Sequence, residues 1–142
     1  MNALRLVCVH HGIFAPTFPV ASMTLPQLEH AATSPMRFLT RLRRDLPTEP
    51  IRPVCTRVLT KLPAESEFEG TFLIPGGRFL ITRSSRHLVE LWDLGFTPDS
   101  VISSQPVASL QFTEGNVLML GVQPTGDGLG ISMMVEVKSH LR

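Results

Sequence analysis

Tyrosine is absent from the 142 residues, tryptophan occurs once and cysteine twice. Without tyrosine, and with Trp92 alone, there is no row of flat side chains on which successive bases can stack, which argues against a dedicated single-stranded nucleic-acid binder. Cys8 and Cys55 are too few for a disulfide framework, and no zinc-type spacing joins them to each other or to histidines. No run approaches the roughly 18 to 20 uninterrupted apolar residues of a membrane-spanning helix. The greasiest stretch, Val117–Val122, contains Gly121. Arg5 sits inside the N-terminal apolar run, with His10 and His11 after it, the wrong order for a secretory signal, so a cytoplasmic or nuclear setting is expected. Charge of one sign is missing too: 13 Lys and Arg face 12 Asp and Glu, for a net +1, so no global field draws in nucleic acid or an anionic membrane.

What is present is a globular composition of single-domain length, 43% hydrophobic and 18% charged, with a mean hydropathy of +0.16. Its charge is uneven. Residues 1–62 carry eight basic and three acidic side chains, +5, whereas the remainder carries five basic and nine acidic ones, −4.

The basic part reads as short helices. Asn2 is placed to cap a helix through Leu4, Leu6, Val7 and Cys8, stopped by Gly12 and by the Pro16–Pro19 stretch. Thr24 and Gln27 have capping-box spacing, which predicts a second helix turning Leu25, Leu28, Ala31 and Ala32 inward and ending near Thr33. Ser34 followed by Pro35 reads as a fresh N-cap and first-turn proline. A third helix then runs to Leu46, with Phe38, Leu39, Leu42 and Leu46 on one face and Arg37, Arg41 and Arg44 on another.

Beyond Phe68 the period becomes two. Thr71–Ile74, Arg78–Thr82, Leu88–Trp92 and Val107–Phe112 are short β-branched or aromatic runs separated by turn residues, which predicts a four-stranded antiparallel meander. After Gly115 the pattern restarts with Val117–Val122, a Pro124–Gly128 turn and Leu129–Val137. Arg52–Leu59 can add one more strand, confined by Pro50 and Pro53 to an edge. The expected fold class is therefore α+β: short N-terminal helices followed by an antiparallel β meander.

A four-stranded unit of about 40 residues whose third strand ends in Trp-Asp is the signature of a propeller blade. Residues 71–112 have that length, Gly76 and Gly77 form the first turn, and Leu91-Trp92-Asp93-Leu94 falls where the Trp-Asp pair belongs. The segment thus resembles a divergent WD repeat. The resemblance implies that the Trp92 ring packs against a neighbouring blade with its indole N–H hydrogen-bonded, and that Asp93 tightens the following turn. At the other end, Leu4-Arg5-Leu6-Val7-Cys8 before His10 and His11 resembles the closing helix of an F-box.

Taken together, the chain resembles fungal F-box proteins in which a helical linker leads into a WD-like propeller. On this resemblance residues 1–22 are the end of an F-box, 23–46 a helical linker, 47–68 a second linker able to carry the edge strand, and 69–142 an incomplete propeller of one blade and part of another. It implies a non-enzymatic role in protein–protein interaction, as a truncated substrate receptor of a cullin-based ubiquitin ligase or, alternatively, a standalone remnant of one, with no cofactor. Leu4, Leu6, Val7 and Cys8 would face a Skp-type adaptor, weakly because of the truncation, and the open β edge would favour self-association.

Other chemistry-bearing residues have two readings each. Arg37, Arg41 and Arg44 present a basic surface for an acidic protein or, alternatively, nucleic-acid phosphates, although a solvated outer face is the commoner meaning of such a stripe. Cys8 with His10 and His11 suggests a metal or nucleophile cluster, but a cysteine on an apolar helix face is usually core. His87 beside Ser84 and Ser85 suggests a Ser–His hydrolase without the strained nucleophile elbow. Gly126-Asp127-Gly128-Leu129-Gly130 precedes strand rather than helix, so a hairpin turn is expected, not a phosphate loop. Glu65, Glu67 and Glu69 read as a solvated acidic linker. No catalytic, metal or cofactor site is expected.

Overall fold

A computed structural model of the chain describes residues 2–45, 56–59, 67–84, 87–97, 99–113 and 116–138. Helix α1 spans Asn2–His10 and α2 Leu25–Asp45, followed by strands β1 (Phe68–Leu73), β2 (Phe79–Ser84), β3 (Leu88–Asp93), β4 (Ala108–Gln111), β5 (Asn116–Pro124) and β6 (Ile131–Lys138). None of the described helices is long and apolar enough to cross a membrane.

Helix α1 ends where Gly12 adopts φ 61°. The Ile13 N–H reaches back to the Cys8 carbonyl at 2.8 Å and the Gly12 N–H to that of Val9 at 3.2 Å, so the left-handed glycine closes both orphan carbonyls. Leu4 and Cys8, one turn apart, pack against Ala31 of α2 in a small core joined by Ile13, Phe18 and Leu28. The Gln27 half of the expected capping box forms: its side-chain oxygen accepts the Thr24 N–H at 2.8 Å.

The predicted second and third helices are one. Pro35 lies inside the 21 residues of α2 and does not start a new helix. A mid-helix proline lacks the N–H that would bond the carbonyl four residues before it, here that of Ala31; one turn earlier, side chains add bonds to the carbonyls of Glu29 and His30. The Thr33 hydroxyl donates to Glu29 O at 2.9 Å, Ser34 to His30 O at 2.7 Å, and an Arg37 Nη to the same His30 O at 2.8 Å. Leu25, expected inward, is exposed, as are Phe38 and Leu39. Leu46 lies outside the described residues.

Four antiparallel strands pair in the order β1-β2-β3-β4, and β5 pairs with β6 in a separate two-stranded sheet. The α+β class and the meander are therefore as expected. Because Phe79 pairs with Asp93 and Leu80 with Trp92, Phe79, Ile81, Val89 and Leu91 share one face and Leu80, Thr82, Glu90 and Trp92 the other. The first face forms the main core, covered by Val122, Ile131 and Met133 of the second sheet and by Phe14. Of the expected edge strand, Arg52–Cys55 fall outside the described residues and 56–59 are not strand. Arg57 instead turns an Nη onto the Leu94 carbonyl at 2.6 Å and the Ser100 carbonyl at 3.2 Å, so a side chain replaces a backbone ladder.

The helical arm is stitched to both sheets through the short segment after α1. Phe14 N–H bonds to the Pro75 carbonyl at 3.1 Å and Ala15 N–H to that of Gly128 at 2.9 Å. Arg78 adds an Nη bond to Pro16 O at 3.1 Å. Residues 14–17 thus touch the turns of both hairpins, and this fixes the position of α2 beside the β1–β2 turn.

Candidate functional site

Trp92 is 1% exposed and Thr82 fully buried. The indole N–H donates to Thr82 Oγ at 2.9 Å, satisfying a polar group that would otherwise be orphaned in the interior. Thr82 was not picked out by the sequence reading. Leu80 is the residue opposite Trp92, so Thr82 is its diagonal neighbour on the same face, a relation visible only once the register is known. The ring is on the face turned away from β5 and β6, so it does not pack against those strands.

Asp93 does tighten the turn after β3, its Oδ1 accepting the Gly95 N–H at 2.8 Å. It also forms a two-pronged pair with Arg78, Nε to Oδ1 at 2.8 Å and Nη to Oδ2 at 2.6 Å. The Arg78 guanidinium lies 4.9 Å from the centre of the Phe79 ring, which leaves it held on two sides. Its hydrogen bonds hold the Asp93 carboxyl below the ordinary carboxylate range, against the opposing effect of burial and with help from the Gly95 N–H. A carboxyl depressed in the folded state contributes stability in full above its unfolded value of about 3.9, and loses it as pH falls through the lower folded value. Asp93→Asn is therefore expected to lower stability at pH 7 by on the order of 1 kcal/mol, seen as a lower melting temperature, and the gap from the parent protein should narrow by pH 3. Thermal melts at the two pH values check this, and a gap independent of pH would overturn it.

Between the middle of α2 and the β1–β2 turn lies an open groove of about 790 Å³. Its walls are Phe18, Phe38, Leu39, Leu73 and Phe96, with Gly76 and Gly77 at one side and His11, His30 and Arg78 among its polar residues. Phe38, Leu39 and Leu73 are 57%, 40% and 59% exposed. A smaller hollow continues it along α2, sharing His30, Ser34 and Phe38 and adding Arg37 and Arg41. The bare β1–β2 turn and the basic face of the helix, far apart in sequence, are thus neighbours. Arg44 is exposed on α2 but lines neither hollow.

Leu4 and Cys8 are 8% and 1% exposed and belong to the contact between the two helices, whereas Leu6 is 68% exposed and Val7 half-buried. Of the four residues assigned to adaptor contact, two are therefore spent internally. Burial pushes the Cys8 thiol up from its ordinary range, the opposite of what a nucleophile needs. His10 and His11 contact each other edge to face at 4.9 Å, and among the described residues no three His, Cys, Asp or Glu side chains gather to hold a metal. The Ser84 hydroxyl is buried and turned to the Leu88 carbonyl at 3.5 Å, while His87 sits at φ 57° in the turn; Ser85 lies outside the described residues. The glycine-rich segment is a hairpin turn, closed by Thr125 N–H to Gly130 O at 2.9 Å. Comparison of the chain with family models, with curated proteins and with solved structures finds no match.

Proposed function

We propose that the chain is a protein–protein recognition module of the F-box and propeller type, a substrate receptor that links a target to a cullin-based ubiquitin ligase. The groove is the observation that carries this reading. Three large apolar side chains stand uncovered around one concavity with polar groups at its border, the composition that interfaces present. Each is about half exposed, so covering it removes apolar surface worth roughly half of the 1.5–3 kcal/mol of a full burial, a driving force the isolated chain leaves unused. The Trp92–Thr82 bond and the Asp93 turn support a blade-like role for the meander.

Adaptor contact, on this reading, uses the outer face of α1, where Leu6 and Val9 are exposed. Calorimetric titration with a Skp-type adaptor is expected to give micromolar binding, about −8 kcal/mol, that Leu6→Glu removes. No binding at about 100 μM would sink the adaptor assignment. In the same samples, light scattering reads self-association. Leu118, Met134 and Val137 are exposed on the two-stranded sheet, which pairs with no third strand among the described residues and so offers edges to a second copy. A stable monomer at micromolar concentration argues against that use of the edge.

A further inference from the structure

We infer that the occupant of the groove is a carboxylate-rich amphipathic segment of a partner protein, its apolar side chains entering between Phe38 and Leu73 and its acidic side chains meeting Arg37 and Arg41. The inference rests on the recognition reading above and names the partner's chemistry. No aspartate or glutamate lines the groove or its extension. Arg78, the cation at the blade side, is already neutralised by Asp93. Arg37 and Arg41 pair with no carboxylate among the described residues, so the unbalanced charge lies at the α2 end.

The arrangement is also prepared in advance. His30, Ser34, Phe38 and Arg41 recur at helical spacing along α2, so apolar and basic groups form one stripe. Arg37 is held by its bonds to His30 O at 2.8 Å and to Ser34 Oγ at 3.2 Å, and a side chain fixed before binding loses less freedom when it binds. The same two bonds tie the guanidinium to the turn just before Pro35. Carboxylates suit guanidinium groups through paired, charge-assisted hydrogen bonds. A nucleic acid fits less well. The lone tryptophan is buried, Phe18 and Phe96 are engaged with each other edge to face at 5.9 Å, and the groove's walls are apolar, leaving no stacking platform beside the two arginines.

Fluorescence anisotropy with labelled peptides of about 15 residues tests this. One peptide alternates Glu with Leu and Phe at helical spacing, a second carries Lys for every Glu, and a third keeps Glu but has Ser for every apolar residue; an oligouridylate of the same length is the fourth probe. The first peptide is expected to bind, the second at least about tenfold more weakly and the third not measurably. Arg41→Glu should reverse the preference between the first two, and Arg37→Gln, which removes the charge, should weaken the first severalfold. Leu73→Ser should weaken both amphipathic peptides alike. Equal binding of the Glu and Lys peptides, or no peptide binding at all, overturns the inference whatever the adaptor titration shows. Tighter binding of the oligouridylate that Arg41→Glu abolishes overturns it in favour of nucleic acid. The recognition reading itself is decided separately, by the adaptor titration on the other helix.

Discussion

Trp92→Ala is expected to cost about 3–5 kcal/mol, the range for emptying a large aromatic site in a core, and so to take a large share of a domain's typical total of about 5–15 kcal/mol. The melting temperature should fall by roughly 10–20 °C at this chain length. Two effects add here: the volume of a side chain 1% exposed, and the loss of its hydrogen bond to Thr82 at 2.9 Å. Thr82→Val separates them. Valine keeps the shape but leaves the indole N–H facing a methyl group, and an unsatisfied buried donor costs about 1–3 kcal/mol. In a cycle with Trp92→Phe, the double variant should lose less than the sum of the singles, because neither partner is then orphaned. Urea unfolding followed by far-UV circular dichroism measures all of these, since Trp92 is the lone tryptophan and its fluorescence vanishes with it. A Thr82→Val protein as stable as the parent would show that the bond contributes nothing net.

The meander was legible because strand period and turn chemistry are local properties. The Pro75-Gly76-Gly77 turn and the Pro124–Gly128 turn each lie between runs that alternate or are β-branched, and each is a hairpin in the structure, the second reaching two residues further before β6 begins at Ile131. Gly12 was legible as a helix stop for the same reason. Pro35 was misread because Ser34-Pro35 is, within its own few residues, a correct helix-start pattern. What overrides it is the packing of Ala31 and Ala32 against α1, with Thr33, Ser34 and Arg37 adding side-chain bonds to the Glu29 and His30 carbonyls in the turn before the proline. Neither is visible in a window of four residues.

The candidate site was less legible than the fold. Phe38 and Leu39 formed an apolar stripe, and periodicity alone does not tell a stripe that meets its own chain from one left uncovered. The groove is assembled from α2, the β1–β2 turn and the loop holding Phe96, three segments whose proximity depends on how residues 14–17 tie the arm to the sheets. Arg78 and Asp93, fifteen positions apart, become partners only because the hairpin sets Phe79 opposite Asp93. The arginines are legible as a surface in the sequence, but that Arg37 folds back onto the His30 carbonyl and the Ser34 hydroxyl is visible only in the structure.

Gly76→Ala is expected to have the other large effect, because two independent constraints meet at that position. Its backbone stands at φ 114°, a conformation nearly reserved to glycine, and holding another residue there costs about 1–3 kcal/mol. A Cβ would also lie 2.5 Å from Thr17 Oγ and 2.7 Å from its methyl group, far inside contact distance. Thr17 is 2% exposed and sits in the segment that ties α1 to the four-stranded sheet, so it has little room to retreat, and such overpacking adds about 1–3 kcal/mol. Gly77→Ala supplies the control. That glycine is at φ 79° but a Cβ on it meets nothing within 4 Å, so it should show the backbone penalty alone. Thr17→Ala should be close to neutral, since the Thr17 hydroxyl is buried without a hydrogen-bond partner among the described residues and its removal offsets part of the lost packing. Combined with Gly76→Ala it should recover some of the lost stability, although the Thr17 Cβ, 2.9 Å from the new methyl, keeps the rescue incomplete. Urea midpoints of the four proteins measure the coupling. If Gly76→Ala and Gly77→Ala lose the same amount, the turn is free of Thr17, and the β1–β2 side of the groove is not held in place by the helical arm.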